Sequence, residues 1–317
     1  MRPSNRSSAR APRHGASRGR RPPGPSAAPM NPSVGAVPAL RIELGIGHEA
    51  ALPARAWCAH DPRGLVAVVH GLGEHGGRYA ALAADLVRAR FTVVTVDLPG
   101  HGEAPGARGD IPSWIAIRDR VVPRLLAASH GLPGQPPDLP RVLLGHSMGA
   151  VMALDHALAH PKEIHAAVAS GPAFRSTIAP WWKLVLDRVA PGTSPSSGFP
   201  HGLEESGMSR DPDVLALRES DPLVHDKISP RLYFAFEEAR QRVMRGARRL
   251  DVPVLVLHGA ADRVVDPRGS LEFCGAAPRD LCRLITYSDG YHEIFNDPVR
   301  EQAVRDLVGW LDAVVVL

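Results

Sequence analysis

Cysteine is scarce in this chain of 317 residues, and long apolar runs are missing. The three cysteines, Cys58, Cys274 and Cys282, form neither an even set nor the spacing of a metal site. This pattern argues against a disulfide framework and is typical of a reducing compartment. No apolar run approaches the roughly 20 residues that a membrane-spanning helix needs. The sequence therefore predicts a cytoplasmic protein whose contact with membranes is at most peripheral.

Acidic residues are absent from the first thirty positions, which contain seven arginines and many Pro, Ser and Gly residues. Because this segment has no apolar periodicity, it cannot offset the entropy of ordering. We therefore predict a disordered tail over residues 1–36 and a folded domain over residues 37–317. Without the seven arginines the net charge falls from +4 to −3, so the basic character belongs to the tail.

The basic tail has several interpretations. It could be an arm for nucleic acid or anionic membranes, or Met30 could be the true first residue. Arg20 and Arg21 lack a following apolar region, so a twin-arginine or Sec signal is not expected. We favour a tail without function and expect no nucleic-acid partner.

The stretch Gly145-His146-Ser147-Met148-Gly149 lies between an apolar run at 141–144 and a helix-forming run at 150–158. A strand, G-x-S-x-G and a helix in this order form the nucleophile elbow of α/β-hydrolases, whereas the bare motif often marks only a tight turn. The glycines are needed because the strained turn passes close to its neighbours. The elbow would raise the Ser147 hydroxyl above the sheet and direct a helix N-terminus at a developing oxyanion.

A serine is inert near neutral pH without a base and an orienting acid. In this fold the acid and the histidine follow the serine, each in a loop after a later strand. Asp262 follows the apolar run 252–257 and is the predicted acid, with Asp266 as its rival; His292 follows the run 281–287 and is the predicted base. Other histidines at strand ends are expected to be structural or supporting, namely His70, His101, His146 and His258.

An oxyanion hole in this fold uses two backbone N–H groups. The first belongs to Met148, which follows the nucleophile. The second is predicted at Leu72, in the glycine-rich loop after the apolar run 65–69. Glu74 and Arg78, four residues apart in the same region, have opposite charges at a spacing that allows them to pair.

The remaining sequence alternates between predicted strands and predicted helices. This alternation predicts an α/β fold with a mostly parallel sheet covered by helices on both faces. The alternation is interrupted over about residues 172–230, where this fold places an inserted cap. The predicted strands lie near 39–44, 53–59, 65–70, 91–96, 141–146, 166–170, 252–257 and 282–287, and the helices near 79–89, 113–129, 148–160, 231–246 and 298–313.

Six motifs lie at residues 70–79, 97–102, 145–150, 209–212, 220–224 and 258–262. They resemble motifs of the monoacylglycerol lipase and lysophospholipase-like family of α/β-hydrolase serine hydrolases. These motifs are spread from about residue 40 to the C-terminus, and the first is fairly specific within the superfamily. The sequence departs from the family at Glu103, where a small serine is usual, and at Phe295, where a polar group can reach the glycerol head.

The resemblance implies a serine esterase that hydrolyses monoacylglycerol-type lipid esters through an acyl-enzyme, without a metal or organic cofactor. It places Glu74 and Arg78 near the entrance to the alcohol pocket. The alternative is that the two residues form a local ion pair that only steadies the oxyanion loop. The adjacent Trp181 and Trp182 cannot both face one narrow core stripe. We expect at least one of them to face the acyl chain or a lipid surface, with packing of the cap as the alternative.

Other functions stay open at this point. Within enzymes, the alternatives are a lysophospholipase and a general carboxylesterase. Serine at position 147, instead of aspartate, disfavours epoxide hydrolase and haloalkane dehalogenase chemistry. Outside enzymes, the alternative is a hydrolase fold that binds a ligand at an inactive site. The expected partner is a small lipid ester, with transient contact between the cap and a membrane or micelle.

Overall fold

The computed structural model describes residues 38–47, 49–175 and 194–315. The predicted tail over residues 1–36 lies outside the described residues, as do Trp181 and Trp182. The described strands are β1 (Leu40–Ile46), β2 (Glu49–Trp57), β3 (Gly64–Val69), β4 (Phe91–Val96), β5 (Arg141–His146), β6 (Ala166–Ser170), β7 (Phe199–Pro200), β8 (Lys227–Ile228), β9 (Val254–Gly259) and β10 (Cys282–Tyr287).

Eight of these strands form one sheet in the order β1-β2-β4-β3-β5-β6-β9-β10. Strand β2 is antiparallel to both β1 and β4, and the other neighbouring pairs are parallel. The prediction of an α/β-hydrolase fold with a mostly parallel sheet is confirmed. All eight predicted strands are present, and their ends differ from the prediction by a few residues because turn residues mark strand ends only approximately.

The central strands are buried on both faces, as expected for a parallel sheet between two layers of helices. In β3, Leu65, Ala67 and Val69 pack into one apolar cluster. Val66 and Val68, which point the other way, pack into a second cluster. This alternation follows from the two-residue period of a strand. The sheet therefore separates two apolar cores, and its connecting loops lie at the ends of the strands.

The helices differ from the prediction in three places. The predicted helix 113–129 is interrupted by a π-helical turn over Ile117–Val121, where the following Pro123 has no N–H for a regular helical bond. The helices Pro212–Ser220 and Arg268–Ala276 were not predicted, because neither has a clear apolar stripe. The described α-helices are Ala80–Arg88, Trp114–Ala116, Val122–Leu126, Met148–Ala159, Pro212–Ser220, Pro230–Gly246, Arg268–Ala276 and Arg300–Val314.

The described part of the insertion, residues 172–175 and 194–230, contains the helix Pro212–Ser220 and a small antiparallel sheet of β7 and β8. Asp211 caps this helix by accepting a hydrogen bond from Asp213 N, and Pro212 occupies the first turn. Such an Asp-Pro start is a helix signal that a periodicity search overlooks. Within the residues that the structure describes, no helix is both long and apolar enough to cross a membrane.

Candidate active site

Ser147 lies between β5 and the helix Met148–Ala159 with φ 54° and ψ −114°. A non-glycine residue in this left-handed region is strained, and such strain is common at functional sites. A Cβ at Gly145 would lie 2.1 Å from the carbonyl oxygen of Gly149, and one at Gly149 would lie 2.2 Å from the carbonyl oxygen of Val69. Both positions exclude a side chain, so the turn has the geometry of a nucleophile elbow.

Asp262 and His292 lie in the loops that follow β9 and β10. His292 Nδ1 is 2.7 Å from Asp262 Oδ2, and both side chains are buried. The other carboxylate oxygen, Oδ1, accepts hydrogen bonds from Val264 N at 2.8 Å and Val265 N at 2.9 Å. These bonds fix the carboxylate, which in turn fixes the orientation of the imidazole ring.

The electrostatics of this pair suit a base and its orienting acid. Burial alone would lower the pKa of His292, but the Asp262 carboxylate raises it above its ordinary value. Burial would raise the pKa of Asp262, but His292 and His258 hold it well below its usual range. Asp262 therefore stays ionised and stabilises the imidazolium that forms when His292 takes a proton.

Asp266, the rival acid, lies elsewhere in the same loop. Its carboxylate binds the guanidinium of Arg268, with Nη2 at 2.6 Å from Oδ2, and its backbone N–H donates to Arg175 O. No described hydrogen bond joins Asp266 to His292. The geometry therefore favours Asp262 as the acid.

His146 connects the turn at Ser147 to His292. The ring of His146, next to Ser147, lies 4.7 Å from the ring of His292, measured between centroids. Among the described hydrogen bonds, none joins the Ser147 hydroxyl to His292. Such bonds are often long in free enzymes and shorten when substrate binds.

The two predicted oxyanion amides belong to the helix that follows Ser147 and to the loop that follows β3. Met148 is the first residue of its helix, so its N–H has no acceptor within the helix. Leu72 lies between two anchored glycines. Gly71 N donates to Glu74 Oε1 at 2.6 Å, and Gly73 O accepts from His225 N at 2.9 Å. The loop is thus held on both sides of Leu72.

A buried chain of alternating charges joins the oxyanion loop to the histidine loop. Arg78 donates to Glu74 at 2.9 Å and to both oxygens of Glu293 at 2.8 and 2.7 Å. Arg218, on the helix Pro212–Ser220, adds a bond of 3.3 Å to Glu293. Burial would raise the pKa values of Glu74 and Glu293, but Arg78 holds both below their usual values. Arg218 also binds Glu205 at 2.6 Å, so both guanidiniums are fully paired with carboxylates.

Glu74 has little capacity left for a ligand. Its Oε1 accepts from Gly71 N and from the Tyr79 hydroxyl at 2.8 Å, its Oε2 binds Arg78, and the residue is 3% exposed. This arrangement favours the interpretation of Glu74 and Arg78 as an ion pair that steadies the oxyanion loop. Contact of either residue with the alcohol of a substrate stays a prediction.

Sequence reasoning missed Glu293 and Arg218 as parts of the site. It also missed that the insertion supports the histidine loop: Met208 O accepts from Glu293 N at 2.8 Å, and Ser209 Oγ donates to Asn296 O at 2.8 Å. The motif over residues 209–212 lies in this segment, but the sequence alone assigned it no role. Its contact partner lies about 87 residues away along the chain, and no local pattern encodes that contact.

The two departures from the family motifs have structural explanations. Glu103 accepts from Arg55 at 3.1 Å and pairs with Arg41, so it belongs to an ion-pair group at β1 and β2. Phe295 is buried and lines a small pocket together with Glu74 and Glu293. An apolar ring thus lies beside the buried carboxylates of Glu74 and Glu293.

His258 supports the acid from a second side. Its Nε2 lies 3.0 Å from Asp262 Oδ2, and its Nδ1 lies 2.7 Å from Ser270 Oγ. His70 Nε2 accepts from Leu98 N at 3.0 Å. Burial and the nearby His292 lower the pKa of His146 to about 4. Within the described ranges, no group of three or more His, Cys, Asp or Glu side chains could hold a metal ion.

Comparisons with known proteins agree with this fold. The family model described as "Serine aminopeptidase, S33" (Hydrolase_4) matches residues 60–299. A monoacylglycerol lipase of Mycolicibacterium smegmatis is 32% identical over 259 residues, which are 79% of this chain and 89% of the relative. Phospholipase YtpA of Bacillus subtilis is 29% identical over 254 residues, 78% of this chain and 95% of the relative.

A solved structure supports the same relationship. The crystal structure of a monoacylglycerol lipase of Paleococcus ferrophilus matches with a TM-score of 0.74 at 33% identity, over 83% of this chain and 98% of that chain. The family model matches well over half of this chain, and the resemblance to monoacylglycerol lipases is confirmed. The chain therefore belongs to the Hydrolase_4 (S33) family of α/β-hydrolases.

Proposed function

We propose that the protein is a serine esterase that hydrolyses monoacylglycerol-type lipid esters to a fatty acid and an alcohol. The observation that carries this proposal is the 2.7 Å contact between His292 and Asp262 beside the strained turn at Ser147. Names of similar proteins support the substrate class, because the relative from Mycolicibacterium smegmatis and the matching structure from Paleococcus ferrophilus are both called monoacylglycerol lipases.

The proposed reaction is an acyl transfer in two steps. Ser147 attacks the ester carbonyl while His292 takes its proton, and the N–H groups of Leu72 and Met148 stabilise the oxyanion. His292 then gives the proton to the leaving alcohol. In the second step His292 activates a water molecule, which releases the fatty acid and regenerates Ser147. Asp262 holds the imidazole in the required tautomer throughout.

The charge balance around the site favours a neutral head group. Arg78 and Arg218 are both paired with buried carboxylates, so this network has no surplus positive charge for a phosphate. Burying a phosphate without a cation would be costly. A glycerol head therefore fits better than the head of a lysophospholipid, although the name of the Bacillus relative keeps a phospholipase as the second candidate.

An ester series tests the proposed substrate class. We expect kcat/KM for a long-chain monoacylglycerol to exceed that for the matching lysophospholipid by about tenfold or more. The series also contains a short nitrophenyl ester, which tests for a general carboxylesterase. An amino-acid nitroanilide tests for the aminopeptidase activity after which the family model is described. A preference for the lysophospholipid, or for the short ester, would replace the proposal with a lysophospholipase or a general carboxylesterase. Absence of hydrolysis and of fluorophosphonate labelling would favour the inactive ligand-binding alternative.

Glu74→Gln separates the two roles considered for Glu74. Because its carboxylate already binds Gly71 N, Tyr79 and Arg78, we expect a misplaced oxyanion loop and a loss of kcat/KM of roughly 10- to 100-fold. The loss should be equal for monoacylglycerol and for a nitrophenyl ester. Glu272→Gln is the matched control, because it removes an exposed ion pair with Arg175. A KM that rises much more for monoacylglycerol would mean instead that Glu74 contacts the glycerol.

The insertion and the cellular location fit the same class of substrate. We propose that the insertion over about residues 172–230 is a cap, and that Trp181 or Trp182 contacts the acyl chain or a lipid surface. A cytoplasmic enzyme with transient contact at membranes or micelles fits substrates of this kind. Support for the cap comes from the bonds between its described part and the loops at His292 and Gly73.

A further inference from the structure

Two of the three cysteines lie side by side on adjacent elements. Cys274 Sγ and Cys282 Sγ are 2.8 Å apart, and both residues are partly buried free thiols. A disulfide bond has a length of about 2.05 Å, so the sulfurs need to approach by only about 0.8 Å to form one. Cys58, the third thiol, has no such neighbour among the described contacts.

Ordered backbone holds the two thiols in this position. Cys274 lies in the helix Arg268–Ala276, and Cys282 begins β10, where it pairs with Val254 of β9. The connection between them is a tight turn, in which Leu281 N and Cys282 N both donate to Pro278 O at 3.1 Å. The fold has therefore already met most of the entropy cost of bringing the two sulfurs together.

We propose that Cys274 and Cys282 are a modification site, a dithiol that a small-molecule disulfide oxidises to an intramolecular disulfide. The thiolate of one cysteine attacks a sulfur of the reagent, forms a mixed disulfide and releases one small thiol. The second cysteine then attacks the protein sulfur of the mixed disulfide and releases the other small thiol. Two electrons and the two cysteine protons pass to the reagent, so the products are the protein disulfide and two small thiols.

Hydrogen bonding to Cys282 and burial both raise the pKa of Cys274. Either thiolate can make the first attack, and the other cysteine then completes the disulfide.

The disulfide would constrain the helix that supports the acid. One turn before Cys274, Ser270 on the same helix binds His258, which contacts Asp262. The bond lies at the start of β10, whereas His292 follows the other end of this strand. Closing a short loop between elements that are already packed should raise Tm by about 4 °C. It should leave ester hydrolysis within about twofold of the reduced protein.

The experiment uses the full chain, reduced and then incubated with glutathione disulfide. Intact-mass measurement should show a loss of about 2 Da, as two hydrogens leave. Iodoacetamide should then label only Cys58 of the three cysteines. Arg279 lies between the two cysteines, so trypsin cleaves the turn and leaves two peptides joined only by the disulfide.

Single variants complete the test. Cys58→Ser should keep the mass loss, the joined peptides and the rise in Tm. Cys274→Ser and Cys282→Ser should lose all three and form a mixed disulfide at most. Three reactive thiols after oxidation, a crosslink that includes Cys58, or a covalent dimer as the product would each overturn the proposal. None of these readouts depends on the proposed esterase activity.

Discussion

Ser147→Ala is expected to reduce monoacylglycerol hydrolysis by several orders of magnitude, since no other group can form the acyl-enzyme. A residual rate above water is still expected, because the N–H groups of Leu72 and Met148 and the binding site persist. The measurements are kcat/KM, covalent labelling by a fluorophosphonate, and Tm. Labelling should disappear in the variant and be present in the wild-type protein.

The fold should survive this substitution. Ser147 holds its position through backbone bonds, including Ser147 N to Ser170 O at 2.9 Å. Alanine also tolerates the φ of 54° about as poorly as serine does. A large loss of Tm would therefore indicate a structural effect. A folded variant that kept more than about a tenth of wild-type activity would exclude Ser147 as the nucleophile.

Asp262→Asn should lower kcat/KM by about 10⁴-fold, the magnitude known for triads in which the amide favours the wrong histidine tautomer. Asparagine can still accept from Val264 N and Val265 N with its oxygen, so the loop geometry should persist. Its NH₂ group would then face His292 Nδ1 and His258 Nε2, both within 3.0 Å of the present carboxylate oxygen. Activity and Tm are measured together.

The pH profile gives this variant a second readout. His292 works as a base only when neutral, so kcat/KM falls as pH drops through the pKa of His292. Asp262 raises that pKa in the wild-type protein. Removing its charge should therefore move the acidic limb of residual activity to lower pH.

Asp266→Asn is the matched control for this experiment. Its carboxylate pairs with Arg268, which is largely exposed, and such pairs contribute little to stability. We expect activity within about twofold of the wild-type protein. An inactive Asp266 variant beside an active Asp262 variant would show that the acid had been assigned to the wrong carboxylate.

Local signals accounted for the elements that the sequence predicted well. Strands β3, β4 and β5 are short, mostly apolar runs that are almost entirely buried, a pattern typical of central parallel strands. The turn at Ser147 is marked by Gly145 and Gly149, because backbone oxygens lie where their Cβ atoms would be. The helix Arg268–Ala276 was missed, since its two glycines and weak apolar stripe resemble a loop.

The sequence by itself determined the α/β-hydrolase fold and the candidate residues Ser147, Asp262 and His292. It could do so because strand periodicity, tight glycine turns and the order of loops after strands are properties of neighbouring residues. Only the tertiary structure decided that Asp262, and not Asp266, approaches His292. It alone paired Arg78 with Glu293 and Arg218 with Glu293, across 215 and 75 residues of chain. Charge pairing acts through space, so a side chain's partner depends on the completed fold and leaves no trace in the local sequence.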